Sequence, residues 1–358
     1  MKLTLLVSPP SLKSGSDVIG HRTARAFSEL GLECQCVYVW PELAARLTMT
    51  SGLPLGGHIY RLFISPLSLA RFWNRFGAGD IVWMFDVSLF GFQKNTAFER
   101  RLRSRGAKYV FNLHDDWLSI PGYDEAARSR IKLANLVAAI TPGIAERVAA
   151  EFPEAPLALL EAPIDIDRVK PVPPHVSSDL PFIVWTGNPR NLKELPNAYE
   201  VLARVHAHKP FRLRIISGHK RPELNLPVPW EWFPYDLQQE SNQLSGAAAG
   251  LAPLIDTPYA RCKDMYKIKT YMAAGIPTVA SPVGNNPRVL RHGHAGFFAT
   301  TAEEWEQALS RLIGDPDCAR QMGQQARADC VDRFSHHNLI PKWLDIMCRY
   351  FPELERLK

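Results

Sequence analysis

The sequence predicts an α/β protein made of two doubly wound, Rossmann-like domains that face each other across a cleft. Three observations carry this expectation. The chain has 358 residues, more than one ordinary hydrophobic core organises. Short apolar runs alternate with longer amphipathic stretches, the pattern of parallel strands buried on both faces and separated by helices. The alternation breaks over residues 169–180 (VKPVPPHVSSDL), where Pro and Ser are dense and no periodicity survives, and then restarts.

In the first array the strand candidates are 3–7, 34–40, 80–85, 108–113, 136–140 and 158–161, with helical stretches at 21–30, 96–105 and 142–151. In the second array the strands are 182–185, 213–217, 250–254, 278–281 and 296–299, with helices at 195–206, 265–274 and 302–313. An amphipathic stretch at 339–354 follows the last strand. The expected division is a first domain over 1–168 that also takes the C-terminal helix 336–358, a linker over 169–180, and a second domain over 181–335. Residues 1–7 combine one Lys with a short apolar run that meets Pro9-Pro10, which suits a first strand better than a secretory leader. No stretch reaches the roughly 18–20 apolar residues of a membrane span.

The formal charge of +6 is spread over both halves, so neither half forms a basic tail and no nucleic-acid surface is expected. The six cysteines form no CxxC pair. Neither a zinc or iron–sulfur spacing nor a disulfide framework is present, which points to a reducing cytoplasm and to no bound metal or cofactor.

In open α/β sheets ligands bind beyond the carboxyl ends of the strands, so the residues just after each strand are the place to look. The richest stretch is 249–282, AGLAPLIDTPYARCKDMYKIKTYMAAGIPTVASP. Lys263, Lys267 and Lys269 gather near the start of its helix, where cations are unfavourable unless an anion shares the site. A phosphate would reverse that balance by engaging backbone N–H groups and ammonium groups together. A solvated basic loop is the alternative. A second candidate follows strand 182–185: Gly187 admits close backbone approach, and Arg190 and Lys193 stand in the next turn. A third is Pro282-Val-Gly284-Asn285-Asn-Pro287, which either offers N–H groups to a phosphate or sugar or simply caps a helix.

In the first half, His114, Asp115 and Asp116 end a strand (NLHDDW). As catalytic candidates, His114 can hydrogen-bond a sugar hydroxyl and a carboxylate can orient an acceptor hydroxyl or act as a base, with an Asp N-cap and a core His as the structural alternative. Three sequential ligands make a poor metal site. The small, polar loop 8–20, with Gly15 and Ser16, is long enough to close over a ligand but lacks the G-x-G-x-x-G of a nicotinamide site. The aromatic segment 229–235 (PWEWFPY) reads either as a base-stacking surface or as a packed loop between strands. Residues 67–76 (LSLARFWNRF) interleave Arg with Phe, Trp and Leu, which fits a peripheral membrane contact or a core-packed helix.

These residues together resemble the retaining glycosyltransferases of family 4, which have the GT-B fold. The likeness covers most of the chain and is strongest from Phe182 to Phe334, through FIVWTGNP, GLAPL, YKIKTYMAAGIPTVASPVGNN, GFFATTAEEW and MGQQAR. In the first half LHDDW, AAITPGIAERV and ALLEAPID carry it more loosely. The resemblance implies donor-phosphate contacts at Gly187, Arg190, Lys193 and Lys267, with Gly284 and Asn285 on the following loop. It implies a donor-sugar histidine at His114, a first-domain donor loop at Gly15 and Ser16, and nucleoside contacts at Phe233 and Tyr235. It departs at Thr270 and Cys262, where the family has paired glutamates and the second of these meets the donor ribose, which leaves the Thr270 hydroxyl as the expected ribose contact.

The implied activity is metal-independent transfer of a sugar from a UDP- or GDP-sugar to the hydroxyl of a saccharide or lipid-linked acceptor in polysaccharide or glycolipid synthesis. The implied location is the cytoplasm or the inner membrane face. A non-catalytic nucleotide-sugar-binding subunit and a sugar-nucleotide epimerase of the same fold are the rival expectations.

Overall fold

The computed structural model describes residues 2–7, 15–39, 72–85, 96–172 and 180–357. The chain divides into two compact units, one of Met1–Glu161 with Leu339–Lys358 and the other of Ala162–Asn338. The changeover therefore falls at Glu161, ahead of the Pro-rich stretch. Val169 is buried and the Lys170 amide donates to Ser241 Oγ at 3.2 Å, so residues 169 and 170 pack on the second unit rather than linking freely. Residues 173–179 of the expected linker lie outside the described residues.

The first unit is built on β1 (Leu3–Val7), β2 (Cys34–Tyr38), β3 (Ile81–Met84), β4 (Lys108–Leu113), β5 (Leu136–Ala139) and β6 (Leu157–Leu159). They form one sheet in the order β2-β1-β3-β4-β5-β6, every pair parallel. β1, β3 and β5 are buried along their whole length, as apolar runs covered on both faces must be. The helix Gly15–Glu29 follows β1. It starts earlier than the sequence suggests, so Gly15 and Ser16 belong to a helical turn and not to a loop. Residues 8–14 of that expected loop lie outside the described residues. The closing helix His336–Tyr350 places Ile340, Trp343, Leu344, Met347 and Cys348 into the core of this unit, a spacing of three and four residues that makes one apolar stripe. Trp343 meets Trp83 with ring centroids 5.7 Å apart.

Of the basic aromatic segment 67–76, residues 67–71 lie outside the described residues. Phe72 and Phe76 are core side chains, with centroids 6.2 Å apart and the Arg75 guanidinium over both rings, while Trp73 between them is 39% exposed. Among the described residues no helix is long and apolar enough to cross a membrane.

The second unit holds β7 (Phe182–Thr186), β8 (Arg212–Ile216), β9 (Trp230–Phe233), β10 (Ala249–Ala252), β11 (Thr278–Ala280) and β12 (Gly296–Phe298). Their order is β12-β11-β10-β7-β8-β9, again parallel throughout. The aromatic segment 229–235, read as a base-stacking surface or a packed loop, contains the edge strand β9. Trp230, Glu231, Trp232 and Phe233 are all half-buried there, with Arg214 pairing to Glu231 at 2.6 Å and lying over the Phe233 ring. The strand order reverses between β7 and β10, so a crevice opens at their carboxyl ends.

The helix Tyr266–Ala273 crosses behind that reversal. Gly250 in β10 makes the crossing close, because a Cβ there would stand 2.3 Å from the Tyr271 ring. Gly250→Ala is therefore expected to force that ring off the sheet and to lower the stability of the second unit by about 1–3 kcal/mol, read as a drop in the urea midpoint. An unchanged midpoint would show that the helix has room to move.

Candidate functional site

Helix geometry decides which lysines serve the crevice. Lys267 lies one turn before Tyr271 and shares its sheet-facing side, whereas Lys269 is about 200° away from Lys267 around the axis. Tyr271 is fully buried, and its hydroxyl accepts from the Thr186 amide at 2.8 Å. Burial pushes its phenol well above the ordinary tyrosine range, so it stays a neutral anchor. The Lys267 stem then passes Gly187, whose absent Cβ would lie 3.6 Å from the lysine Cε, and the ammonium rests 4.1 Å from the centre of the Trp185 ring. Gly187 is held by β8, donating to Ile216 O at 3.2 Å and accepting from Ser217 Oγ at 2.7 Å.

Lys269 has a different fate from the one expected. It is 1% exposed, pairs with Asp264 at 2.7 Å and donates to Ala162 O at 2.8 Å. It fastens the helix to the start of the second unit and takes no part in the crevice.

Arg190 and Lys193 are exposed on a 3-10 segment, Pro189–Ala198, that begins with Asn188 capping the Arg190 amide at 3.0 Å. They line a concavity together with Glu194, Ile255, Tyr259 and Lys263. This places the segment after β7 beside the segment after β10, at the strand-order reversal. Glu194 was not singled out by the sequence. It is 6% exposed, accepts from the Ile255 amide at 3.2 Å and stands 3.9 Å from the Lys263 ammonium. Its position directly after Lys193, on the inward side of a short helical turn, was the available signal. Trp185 was also missed, since a Trp ending a strand reads first as core.

The Lys267 amine is depressed from its usual value to about 7. Withdrawal from water is the main cause, the Lys263 ammonium adds to it, and Glu194 opposes it. The other acid in the neighbourhood, Asp256, is bound by Arg261 at 2.7 and 2.9 Å. Arg190, Lys193 and Lys263 line the concavity with Glu194, and the Lys267 ammonium lies within electrostatic reach of Lys263 and Glu194.

Gly284 has φ +57°, and a Cβ there would fall 2.7 Å from Arg261 Cα, so the loop needs glycine to lie against the helix Pro258–Cys262. Asn285 is buried at the head of the short helix Asn286–Val289. Thr270 is 1% exposed and Cys262 is 7% exposed. Phe233 ends β9, while the Tyr235 phenol faces the buried ion pair of Arg168 and Glu240 and is raised above its ordinary value, chiefly by burial.

In the first unit, His114 follows β4 and packs edge-on against Trp117 at 5.3 Å. Its Nδ1 is buried and has no hydrogen-bond partner among the described residues. Asp116 is committed elsewhere: its carboxylate takes Arg147 at 2.8 Å and also accepts from Ser119. Asp115 and His114 remain half-buried at the strand end.

Residues 181–315 match the family described as Glycosyl transferases group 1. Among curated proteins, alpha-maltose-1-phosphate synthase of Mycolicibacterium smegmatis is 34% identical over 83 residues, covering 21% of each chain. N-acetyl-alpha-D-glucosaminyl L-malate synthase of Bacillus anthracis is 28% identical over 75 residues, 20% of this chain and 19% of that one. The chain thus spans about a fifth of the length of the curated relatives it matches. Solved structures resemble it over nearly its whole length. Sucrose-phosphate synthase from Thermosynechococcus elongatus superposes with a TM-score of 0.72 at 14% identity, covering 99% of this chain and 100% of that one. Anabaena HepE, solved with UDP and glucose, gives 0.71 at 13%, covering 98% and 100%. These likenesses, with the two six-stranded parallel sheets, establish two Rossmann-like domains of the GT-B class.

Tyr271→Phe removes the oxygen that receives the Thr186 amide and leaves a buried donor unsatisfied. The expected cost is about 1–3 kcal/mol in chemical denaturation. A change within error would mean that the Gly187 turn is held without the tyrosine.

Proposed function

We propose that the chain is a glycosyltransferase that moves a sugar from a UDP- or GDP-sugar to an acceptor hydroxyl, with the donor diphosphate held in the crevice between the segments after β7 and β10. The observation that carries this reading is the Lys267 ammonium, crowded onto Trp185 beside Lys263 with Glu194 as the nearby acid. A diphosphate supplies the missing negative charge. The matched family, and a structural neighbour solved with UDP-glucose, support the same class of donor.

Breaking the glycosidic bond builds negative charge on the departing diphosphate and positive charge on the sugar ring. In this reading Lys267, Arg190, Lys193 and Lys263 stabilise that leaving group as the charge grows, which lowers the barrier more than it tightens ground-state binding. His114, with its buried Nδ1 unpaired among the described residues, positions the donor sugar, and Asp115 orients the acceptor. Asp116 holds the turn through Arg147. Retention of the anomeric configuration, independence of metal and a saccharide or lipid-linked acceptor in surface-polysaccharide synthesis complete the proposal. One observation favours a non-catalytic, donor-binding role: Thr270 is buried where the resemblance expects a glutamate.

A thermal-shift panel of sugar nucleotides followed by a transfer assay separates the two readings, because both predict binding and only the first predicts transfer. Lys267→Ala and Arg190→Ala are each expected to weaken donor binding by roughly tenfold to a hundredfold, the loss of a charge-assisted hydrogen bond. If both variants keep wild-type turnover, the diphosphate assignment is wrong.

The depressed Lys267 amine also fixes the sign of a pH effect. Bound phosphate favours the protonated amine, so binding takes up a proton once pH passes the free value of about 7. Both phosphates of a sugar nucleotide are esterified and do not titrate near neutrality. Donor affinity should therefore fall as pH rises from about 6 to about 9, by up to about tenfold per unit above the free value. In Lys267→Arg, whose guanidinium stays protonated, the profile should be flat. A flat wild-type profile measured by calorimetry would contradict the crowded amine.

A further inference from the structure

Away from the crevice, the second unit brings together three side chains with metal-ligand chemistry. Asp167 Oδ2 lies 3.0 Å from His337 Nε2 and 3.3 Å from His336 Nε2. One ligand atom from each residue falls within 4.8 Å of the others. The two imidazoles lie side by side, with centroids 4.0 Å apart at 35°, and present their Nε2 atoms to the same carboxylate oxygen.

The backbone around this cluster is set in advance. Ile164 forms a parallel bridge with Ser335, through Ile164 N to Phe334 O at 2.8 Å and His336 N to Ile164 O at 3.1 Å. Asp165 Oδ1 accepts from the Asp167 and Arg168 amides at 3.1 and 3.0 Å and so fixes the turn that presents Asp167. Ser335 Oγ accepts from the Asn338 amide at 3.3 Å at the head of the helix that carries both histidines. His336 is 11% exposed, while Asp167 and His337 are 66% and 57% exposed, so the cluster has a shielded side and an open one.

We propose that Asp167, His336 and His337 form a binding site for one divalent cation of the zinc class, with solvent completing the coordination. Ligands about 2.0–2.1 Å from a tetrahedral centre stand about 3.3 Å apart, which is close to the separations found here. Two imidazoles and one carboxylate suit zinc and its softer neighbours and not magnesium or calcium, which take oxygen ligands. The electrostatics are mixed. The helix start and the nearby Arg327 guanidinium, which donates to Ile166 O at 3.0 Å, oppose a cation, and the Asp167 carboxylate favours it. Neutral imidazoles contribute ligands without adding charge. The bound ion would tie the turn at 165–169 to the helix start at 335–337, beside the two points where the chain changes units at Glu161 and Asn338. The site is independent of the glycosyl-transfer reading.

The test is a Zn²⁺ titration of chelator-treated full-length protein by calorimetry, with Co²⁺ as the spectroscopic probe. Wild type is expected to bind one equivalent at this site, with Co²⁺ d–d bands and no thiolate charge-transfer band. His337→Ala and Asp167→Asn are exposed changes expected to fold, and each should weaken that binding by more than about tenfold and abolish the Zn²⁺-induced rise in melting temperature. His208→Ala, on an exposed position elsewhere, should leave both unchanged. Affinity unaltered in both cluster variants, absence of stoichiometric binding, or Co²⁺ bands showing thiolate ligation would each overturn the proposal.

Discussion

The placement of Lys267 rests on one contact, the Tyr271 hydroxyl accepting the Thr186 amide at 2.8 Å. It joins a helix to the last residue of β7, at the point where strand order reverses and Gly187 turns the chain away. Gly250 admits the ring, and the ring fixes the rotation of the helix. A helix so fixed has one choice for the residue four positions earlier, and that residue is Lys267. The placement of the ammonium over Trp185 is thus a consequence of packing beneath it, and its altered basicity follows from that placement. The same rotation carries Lys269 to the far side, where Asp264 and Ala162 O hold it.

The crevice gathers charge by combining two segments that are remote in sequence. Arg190, Lys193 and Glu194 come after β7, and Lys263 and Tyr259 come after β10. Glu194 stands 3.9 Å from the Lys263 ammonium and opposes the depression of the Lys267 amine. Asp256, the acid that follows Ile255, is occupied by Arg261.

Strand positions were legible where parallel strands covered on both faces must be apolar, as in β1, β3, β5, β7 and β10, which stand out as runs. β9 escaped because Pro229 and Pro234 bracket a run of only four residues, which reads as a loop between turn signals. The start of the Gly15–Glu29 helix escaped for another reason: its first turn reads as small and polar, the composition of a loop. Among candidate site residues, those directly after strands were accessible to a rule about sheet geometry. Glu194 and Trp185 were not, because an acid beside a lysine and a Trp in a strand each have a commoner explanation.

By itself the sequence determined the alternation of strands and helices, the two-domain α/β class, and the candidate residues at strand ends, since these are local properties of hydrophobic period and turn composition. Tertiary structure decided which of Lys263, Lys267 and Lys269 share the crevice, because that depends on how one helix is rotated against a sheet. It also decided that Asp116 is bound by Arg147 and that Asp167 meets His336 and His337. The latter contact spans 170 positions, and no spacing rule connects residues whose proximity is made by a single backbone bridge between the two ends of a domain.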